Sequence, residues 1–127
     1  MILLDTHALI WLAREPEKLS RKASDAIRDS AGGIAISAMT LWEVAFLAAS
    51  GRLQIHSSVE AFVERITSRV AVRPVSRRVA VLATQFPETY PRDPIDKLIG
   101  ATALSEGMRL VTKDREIRAC KLINTVW

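Results

Sequence analysis

Cysteine and histidine are nearly missing from this sequence. Cys120 is the only cysteine among 127 residues, so the chain has no internal disulfide and no cysteine-rich zinc site. We expect its thiol to be half-buried and without a chemical role. Only two histidines are present, His7 and His56, and they do not form a cluster along the chain. Nitrogen and sulfur ligands for a metal are therefore scarce.

Long apolar runs are missing as well. The longest, residues 41–49, is interrupted by Glu43 and is far shorter than the roughly 20 residues that a helix needs to span a bilayer. No basic segment precedes the apolar run at the N-terminus, so we expect no signal peptide and no membrane contact. A cytoplasmic location is the default expectation.

The remaining composition is that of a globular domain with a basic excess. Hydrophobic residues make up 49% of the chain and charged residues 25%. The length fits one domain covering residues 1–127, with no repeat and no linker. Eighteen lysines and arginines face fourteen aspartates and glutamates, and the net charge of +4 modestly favours a polyanionic partner.

Short apolar runs alternate with segments of helical periodicity. The predicted strands cover residues 2–4, 34–36, 70–75, 109–112 and 123–126. Serine or aspartate caps and apolar spacing predict helices in the segments 8–13, 20–27, 39–49, 58–66, 79–83 and 94–104, and a short one from residue 114. This alternation predicts a three-layer α/β/α domain, with a central parallel sheet of four to five strands covered on both faces.

Carboxylates fall where the predicted strands end. Asp5 ends the first strand, Asp114 follows the fourth by two residues, and Glu43 lies early in the helix after the second. Asp93 and Asp96 open the helix that follows a long loop. The ligand crevice of a parallel α/β sheet lies beyond the carboxyl ends of its strands. We therefore expect four separate segments to bring carboxylates to one edge of the sheet.

Each aspartate also has a purely structural interpretation. Asp5 and Asp114 could cap the helices that follow them. The same role is strongest for Asp93, because proline is favoured directly after a helix cap. Asp96 could merely complement the dipole of its helix. For the aspartates together, these structural interpretations are less convincing than a metal site. Like-charged carboxylates in one crevice repel each other unless a metal balances their charge.

Glu43 gives the sharpest indication of a metal. It is the only polar residue between Leu41 and Ala49, in a helix that we expect to be largely buried. A lone carboxylate there is costly unless a cation or hydrogen-bond donors compensate it. Oxygen ligands without a histidine or cysteine cluster favour Mg²⁺ or Mn²⁺ over zinc. Mg²⁺ supports phosphodiester hydrolysis by polarising a phosphoryl oxygen and helping to generate a hydroxide nucleophile.

Four stretches of the chain together resemble the PIN-domain family, and within it the VapC-type ribonuclease toxins, over essentially the whole length. They are Leu-Leu-Asp-Thr-His at residues 3–7, Ile-Ser to Leu-Trp-Glu at 36–43, Arg-Asp-Pro-Ile-Asp-Lys-Leu-Ile at 92–99 and Leu-Val-Thr-Lys-Asp at 110–114. Their order and spacing carry the resemblance. It implies a Mg²⁺-dependent endoribonuclease with Mn²⁺ as a possible substitute, a homodimer, and inhibition by a VapB-type antitoxin.

The resemblance also implies a set of site residues. The acidic metal site would consist of Asp5, Glu43, Asp96 and Asp114, with Thr6 and Thr112 as nearby hydroxyl ligands or orienting groups. Asp93 is the alternative third acid. Asp96 is preferred because it directly precedes the helical segment 97–101, where the family pattern places its acid.

Residues around these acids have weaker interpretations. Lys97, Lys113 and Arg115 either hold RNA phosphates or are ordinary solvated charges. His7 is interpreted as structural or solvent-facing, and His56 receives no role. Trp11, Trp42 and Trp127 are expected in the core or at a dimer contact. The surface at residues 10–11 is a possible site for an antitoxin helix.

Three other functions were weighed against the nuclease. A receiver-like phosphoacceptor domain needs an acidic pair after the first strand and a phosphorylated aspartate near mid-chain, whereas Asp5 stands alone and no aspartate lies between Asp29 and Asp93. A phosphatase with an Asp-x-Asp motif is disfavoured because His7 takes the place of the second acid. A non-catalytic PIN-like subunit that binds RNA or an antitoxin stays open, although the presence of all four acids argues against it.

Overall fold

The structure, a computed structural model, describes all 127 residues. The strands are β1 (Ile2–Leu4), β2 (Ile34–Ser37), β3 (Val70–Arg73), β4 (Arg109–Val111) and β5 (Thr125–Val126). The helices are α1 (Thr6–Arg14), α2 (Arg21–Arg28), α3 (Ala38–Ala49), α4 (Val59–Thr67), α5 (Arg77–Ala83), α6 (Pro94–Glu106) and α7 (Arg115–Ala119), with a 3₁₀ turn at Pro16–Lys18. None of these helices has the length and apolar character needed to cross a membrane.

The five strands form one parallel sheet in the order β3-β2-β1-β4-β5. Chain order reverses at β1, because β2 pairs with one side of it and β4 with the other. At the carboxyl end of β1, Leu4 is in register with Ile36 on one side and Val111 on the other. The crevice that such a reversal creates therefore opens beyond the carboxyl ends of β1 and β4.

Both faces of the sheet are buried. Successive strand residues point to opposite faces, so Leu4 and Ile36 belong to one apolar cluster while Leu3 and Leu110 belong to another. Helices α1 to α4 supply most of the first cluster, and α6 and α7 contribute to the second. Burial on both sides explains why the strands are short continuous apolar runs. The predicted three-layer α/β/α fold is confirmed.

Some strand ends differ from the prediction. The predicted strand 70–75 ends at Arg73, and the next residue, Pro74, has no N–H for the ladder. The fourth strand ends one residue early at Val111, and the last strand is only Thr125–Val126.

Helix α3 is covered on one face only, so the expectation of a largely buried helix is wrong. Its buried residues are Thr40, Val44 and Ala48. Trp42 is 53% exposed and Phe46 44%, and their rings stack with centroids 5.2 Å apart. Glu43 is half-buried, because it lies between the covered face and this open one. The cost of its charge is therefore lower than full burial would impose.

Candidate metal centre

Asp5 lies at the reversal point of the sheet. Its backbone N–H donates to the carbonyl of Val111 over 3.1 Å, which holds it beside the end of β4. Its Oδ1 accepts from the Ala8 N–H over 2.8 Å, so the predicted cap on α1 is confirmed. Burial raises the pKa of Asp5, and hydrogen bonds from Thr112 and Ala8 partly oppose this. Capping one oxygen fixes the orientation of the whole carboxylate.

Asp114 lies at the end of the neighbouring strand and caps α7. Its Oδ1 accepts from the Ile117 N–H over 2.9 Å, and its own N–H donates to the Thr112 hydroxyl oxygen over 3.2 Å. Thr112 is fully buried and also interacts with the Asp5 carboxylate. This threonine therefore connects the two acids, which fits the orienting role that the resemblance implies.

The two acids of the 93–96 segment differ in their surroundings. Oδ1 of Asp93 accepts from the Ile95 N–H over 2.7 Å and caps α6, with Pro94 as the first helical residue. Asp96 is half-buried, and no hydrogen bond offsets its burial. Burial raises the pKa of Asp96 most, and together with the charges of Asp93, Asp114, Glu43 and Asp5, in that order, it brings the pKa to about 7. Of these two acids, Asp96 is therefore the one whose carboxylate has no hydrogen-bond partner in the protein.

Thr6 and Thr40 connect the helices that follow β1 and β2. Both are buried, and the Thr6 hydroxyl donates to the Thr40 hydroxyl oxygen over 3.2 Å. Thr6 directly follows Asp5, and Thr40 precedes Glu43 by three residues on α3. The hydrogen bond therefore fixes the two acids relative to each other. Thr40 was not predicted, because a threonine in an apolar helix carries no distinctive pattern.

The carboxylates repel one another across this edge, but they do not form a preformed metal-binding site. Asp114 raises the pKa of Asp5, and three of the predicted acids raise the pKa of Asp96. No three histidine, cysteine, aspartate or glutamate side chains stand close enough to hold a metal ion between them. The edge is therefore a set of mutually repelling carboxylates, and a cation bound there would relieve the repulsion.

Tyr90 supports the helix that carries Asp96, although its sequence surroundings predict only a loop. Its buried hydroxyl donates to the backbone carbonyl of Asp96 over 2.6 Å, and its ring stacks on Phe86 with centroids 4.1 Å apart. A Cβ at Gly100 would clash with the Tyr90 hydroxyl oxygen and lie 2.9 Å from Cδ1 of Ile123. The close packing expected at this mid-helix glycine is confirmed. In the sequence, Gly100 was the one indication that another residue packs closely here, and the structure shows that this residue is Tyr90.

Gly100→Ala is expected to destabilise the fold by about 1–3 kcal/mol, because overpacking outweighs the gain in helix propensity of about 1 kcal/mol. Tyr90→Phe removes the atom in the clash and costs about 1 kcal/mol through the lost hydrogen bond. Chemical unfolding of the single and double variants measures the coupling. We expect the double variant to be more stable than the sum of the single losses by about 0.5–3 kcal/mol. Strict additivity would contradict the proposed contact.

Basic and aromatic residues lie beside the acids. The Nζ atom of Lys113 is 5.8 Å from the Trp11 ring centroid, and the Trp11 ring is 5.7 Å from that of Trp127. Arg115 is exposed, and Lys97 is half-buried in the first turn of α6. Trp11 and Trp127 are half-buried and their rings pack together, which agrees with the expected core position, whereas Trp42 is exposed on α3 and does not belong to the core.

The surface proposed at residues 10–11 is not an open apolar patch. Ile10 is buried in the core, and Trp11 packs between His7 and Trp127. The exposed aromatic pair of the chain lies instead on α3, where Trp42 stacks on Phe46. His7 is exposed and lowers the pKa of Asp5 through its charge, and His56 is exposed in a loop.

Fold and edge together define a three-layer α/β domain with an acidic crevice at the reversal point of its sheet. Residues 2–121 match the model of the PIN domain, and the chain belongs to the PIN-domain family. It is 39% identical over 118 residues to Ribonuclease VapC22 of Mycobacterium tuberculosis, a match that covers 93% of this chain and 90% of the relative.

Solved structures share the same fold. DNA-bound VapBC from Salmonella typhimurium has a chain that matches with a TM-score of 0.76 and 22% identity, covering 98% of this chain and 97% of that one. VapBC-1 from nontypeable Haemophilus influenzae matches with a TM-score of 0.75 and 19% identity, covering 98% and 96%. At these identities the likeness is one of fold.

Proposed function

We propose that this chain is a metal-dependent endoribonuclease that acts as a toxin and is neutralised by a VapB-type antitoxin. The observation that carries the proposal is the half-buried, unpartnered carboxylate of Asp96 at an edge to which other segments bring further carboxylates. The relative that is 39% identical is named a ribonuclease, and the structural neighbours include VapBC toxin–antitoxin proteins. An RNA substrate and a homodimer, both implied by the resemblance, belong to the same proposal.

The residues present fit Mg²⁺, with Mn²⁺ as a substitute. The edge offers only oxygen donors, and the carboxylate of Asp96 is not consumed by a hydrogen bond. Mg²⁺ keeps several waters and is usually bound through one or two carboxylates, so an edge without a three-ligand cage suits it. The residues that would hold it, directly or through water, are Asp5, Glu43, Asp96 and Asp114, with Asp93, Thr6 and Thr112 as secondary candidates.

The chain's own residues prepare the site for phosphodiester hydrolysis. When bound, Mg²⁺ polarises the phosphoryl oxygen and lowers the pKa of water that attacks phosphorus. Helix capping fixes the carboxylates of Asp5 and Asp114, so their uncapped oxygens need no reorganisation when the metal arrives. Tyr90 holds the first turn of α6 and thereby the position of Asp96. Lys113 and Arg115 flank the acids and supply positive charge for RNA phosphates.

These findings exclude two of the alternative functions. A receiver-like phosphoacceptor and an Asp-x-Asp phosphatase both conflict with membership of the PIN-domain family. The remaining alternative is a PIN-like subunit that binds RNA or an antitoxin without turnover. Such a subunit would have no role for the repulsion among the acids. In a metal-dependent nuclease, by contrast, the bound cation relieves this repulsion.

Growth of bacteria that express the chain tests the proposal. We expect arrest with the wild-type chain and normal growth with Asp5→Asn, because asparagine still caps α1 and only the charge is lost. Asp29→Asn, at an exposed aspartate beside Arg28, serves as a matched control and should remain toxic. Co-expression of the cognate antitoxin should restore growth. Equal toxicity of wild type and Asp5→Asn at matched protein levels would contradict the proposal.

The metal-free protein should lose stability as pH rises between 3.8, the ordinary pKa of Asp96, and about 7. In that window the unfolded chain releases the proton of Asp96 while the folded chain retains it, so ionisation favours unfolding. Asp96→Asn should flatten this part of the curve. Urea unfolding in EDTA across the window measures the slope, and an identical pH dependence for both proteins would show that Asp96 is not the strained acid.

A further inference from the structure

A groove of about 670 Å³ lies beside the edge strand β5, and we call it the β5 groove. It is bounded by α2, by α7, by the start of β4 and by the last three residues of the chain. The charged residues that line it are Lys22, Arg109, Arg115 and Arg118. No aspartate or glutamate side chain lines it. The four cations come from α2 and from the consecutive elements β4 and α7, which lie far from α2 in the sequence.

None of these four cations has an ion-pair partner. The ion pairs of the chain are Lys18–Glu15, Arg28 with Asp25 and Asp29, and Arg73–Glu106. All four groove cations are exposed. Positive charges gathered without carboxylates repel one another, so a bound polyanion would stabilise the arrangement.

The β5 groove begins at the acidic edge. Arg115 directly follows Asp114, and the Lys113 ammonium lies over Trp11, whose ring contacts Trp127 in the wall of the groove. From there the groove extends along β4 and β5 toward Arg109, the first residue of β4. A strand of nucleic acid cleaved at the edge would therefore meet the groove at Arg115.

Negative charge marks the far end of the groove. Lys22 and Arg109 also line an adjoining cavity of about 420 Å³, whose wall contains Asp25 and Asp29. Both aspartates pair with Arg28. The unpaired basic surface therefore stops there.

We infer that the β5 groove binds the phosphate backbone of single-stranded RNA on one side of the bond that is cut. The inference rests on the proposed function and adds the path of the substrate. A charged groove that tracks one backbone, with an aromatic residue in its wall, is how proteins bind single strands without reading sequence. Arg109, Arg118 and Lys22 contact phosphates, and the reacting phosphodiester lies beyond Arg115 at the acidic edge.

The variant R109Q/R118Q tests this path, and R77Q/R78Q on α5 is the matched control. Arg77 and Arg78 are exposed, form no ion pair and give the same change in net charge. Fluorescence anisotropy in EDTA measures binding of a single-stranded RNA of about 20 nucleotides, longer than the roughly 4–16 nucleotides that small single-strand-binding domains cover. Melting curves check that both variants are folded.

The groove variant should lose affinity, and the control should not. Loss of two phosphate contacts makes the plot of log K against log salt shallower by about 1.4, where K is the association constant. This change corresponds to about 20-fold weaker binding at about 0.1 M salt. The slope should be unchanged for R77Q/R78Q. Unchanged binding by R109Q/R118Q, or an equal loss in both variants, would overturn the inference. Tighter binding of duplex DNA that only the groove variant loses would also overturn it.

Cleavage assays separate this inference from the proposed function. With metal present, R109Q/R118Q should cleave a dinucleotide substrate at the wild-type rate, because so short an RNA ends beside Arg115 and does not extend to Arg109 or Arg118. The same variant should cleave the long RNA with a raised KM. If the wild-type chain cleaves RNA and R109Q/R118Q binds RNA as tightly as the wild type, the inference about the groove fails and the nuclease proposal stands. If the wild-type chain binds RNA through the groove but cleaves none with any divalent metal, the nuclease proposal fails and the binding site stands.

Discussion

Asp96→Asn is expected to lower metal-dependent RNA cleavage by orders of magnitude, while Asp93→Asn leaves it close to wild type. The two residues lie three positions apart at the same helix end, but only the Asp93 carboxylate accepts a hydrogen bond from the backbone, donated by the Ile95 N–H. Asparagine caps a helix about as well as aspartate, so the first turn of α6 survives the Asp93 change. At Asp96 the same substitution removes the charge that would bind the metal.

Stability measurements complete the comparison. Asp93→Ala removes the cap and should cost about 1 kcal/mol of folding free energy, yet it should retain cleavage where it stays folded. Asp96→Asn should leave the metal-free fold unchanged or more stable, because a buried charge is removed. An inactive Asp93→Asn beside an active Asp96→Asn would move the third acid three residues earlier.

The fold was predictable because each local signal agrees with the global arrangement. The helix caps at Ser20, Ser37, Ser58 and Asp93 are confirmed, each with its side-chain oxygen accepting from a backbone N–H. The strands are apolar along their whole length because both faces of the sheet are covered. Such runs are a weak signal alone, but helices of regular length between them leave few alternatives to a parallel sheet.

Helix α3 shows where pattern reasoning fails. Its sequence is apolar on every side, so no amphipathic direction indicates which face the core covers. Full burial was the natural prediction, whereas Trp42 and Phe46 face outward. Only tertiary structure decides which side of such a helix is buried.

The acids were predicted as site residues because Asp5, Asp96 and Asp114 follow a strand or open a helix, and because Glu43 interrupts an apolar run. Their metal-binding role stays a prediction. The supporting residues were harder to find. Tyr90 lies in a proline-rich loop, and only Gly100, ten residues later, indicated that something packs closely there. Lys22 and Arg109 of the β5 groove are far apart in sequence and meet only through the sheet order. No local motif encodes such a meeting.

Removal of divalent metal is expected to abolish RNA cleavage, and Mg²⁺ or Mn²⁺ to restore it. The physical reason is that the edge gathers several carboxylates, and His7 is the one histidine whose charge acts on them. Carboxylates alone repel the phosphate, so a cation must reverse the local charge before RNA can approach.

The decisive measurement is the rate of cleavage of a single-stranded RNA by purified wild-type chain in excess EDTA and after addition of Mg²⁺. Asp96→Asn, prepared in parallel, controls for a contaminating nuclease. The account predicts no cleavage above background in EDTA, rapid cleavage once Mg²⁺ exceeds the chelator, and no such recovery for Asp96→Asn. Undiminished cleavage in EDTA, or equal Mg²⁺-dependent cleavage by wild type and Asp96→Asn, would contradict the claim that these acids form a metal-dependent nuclease site.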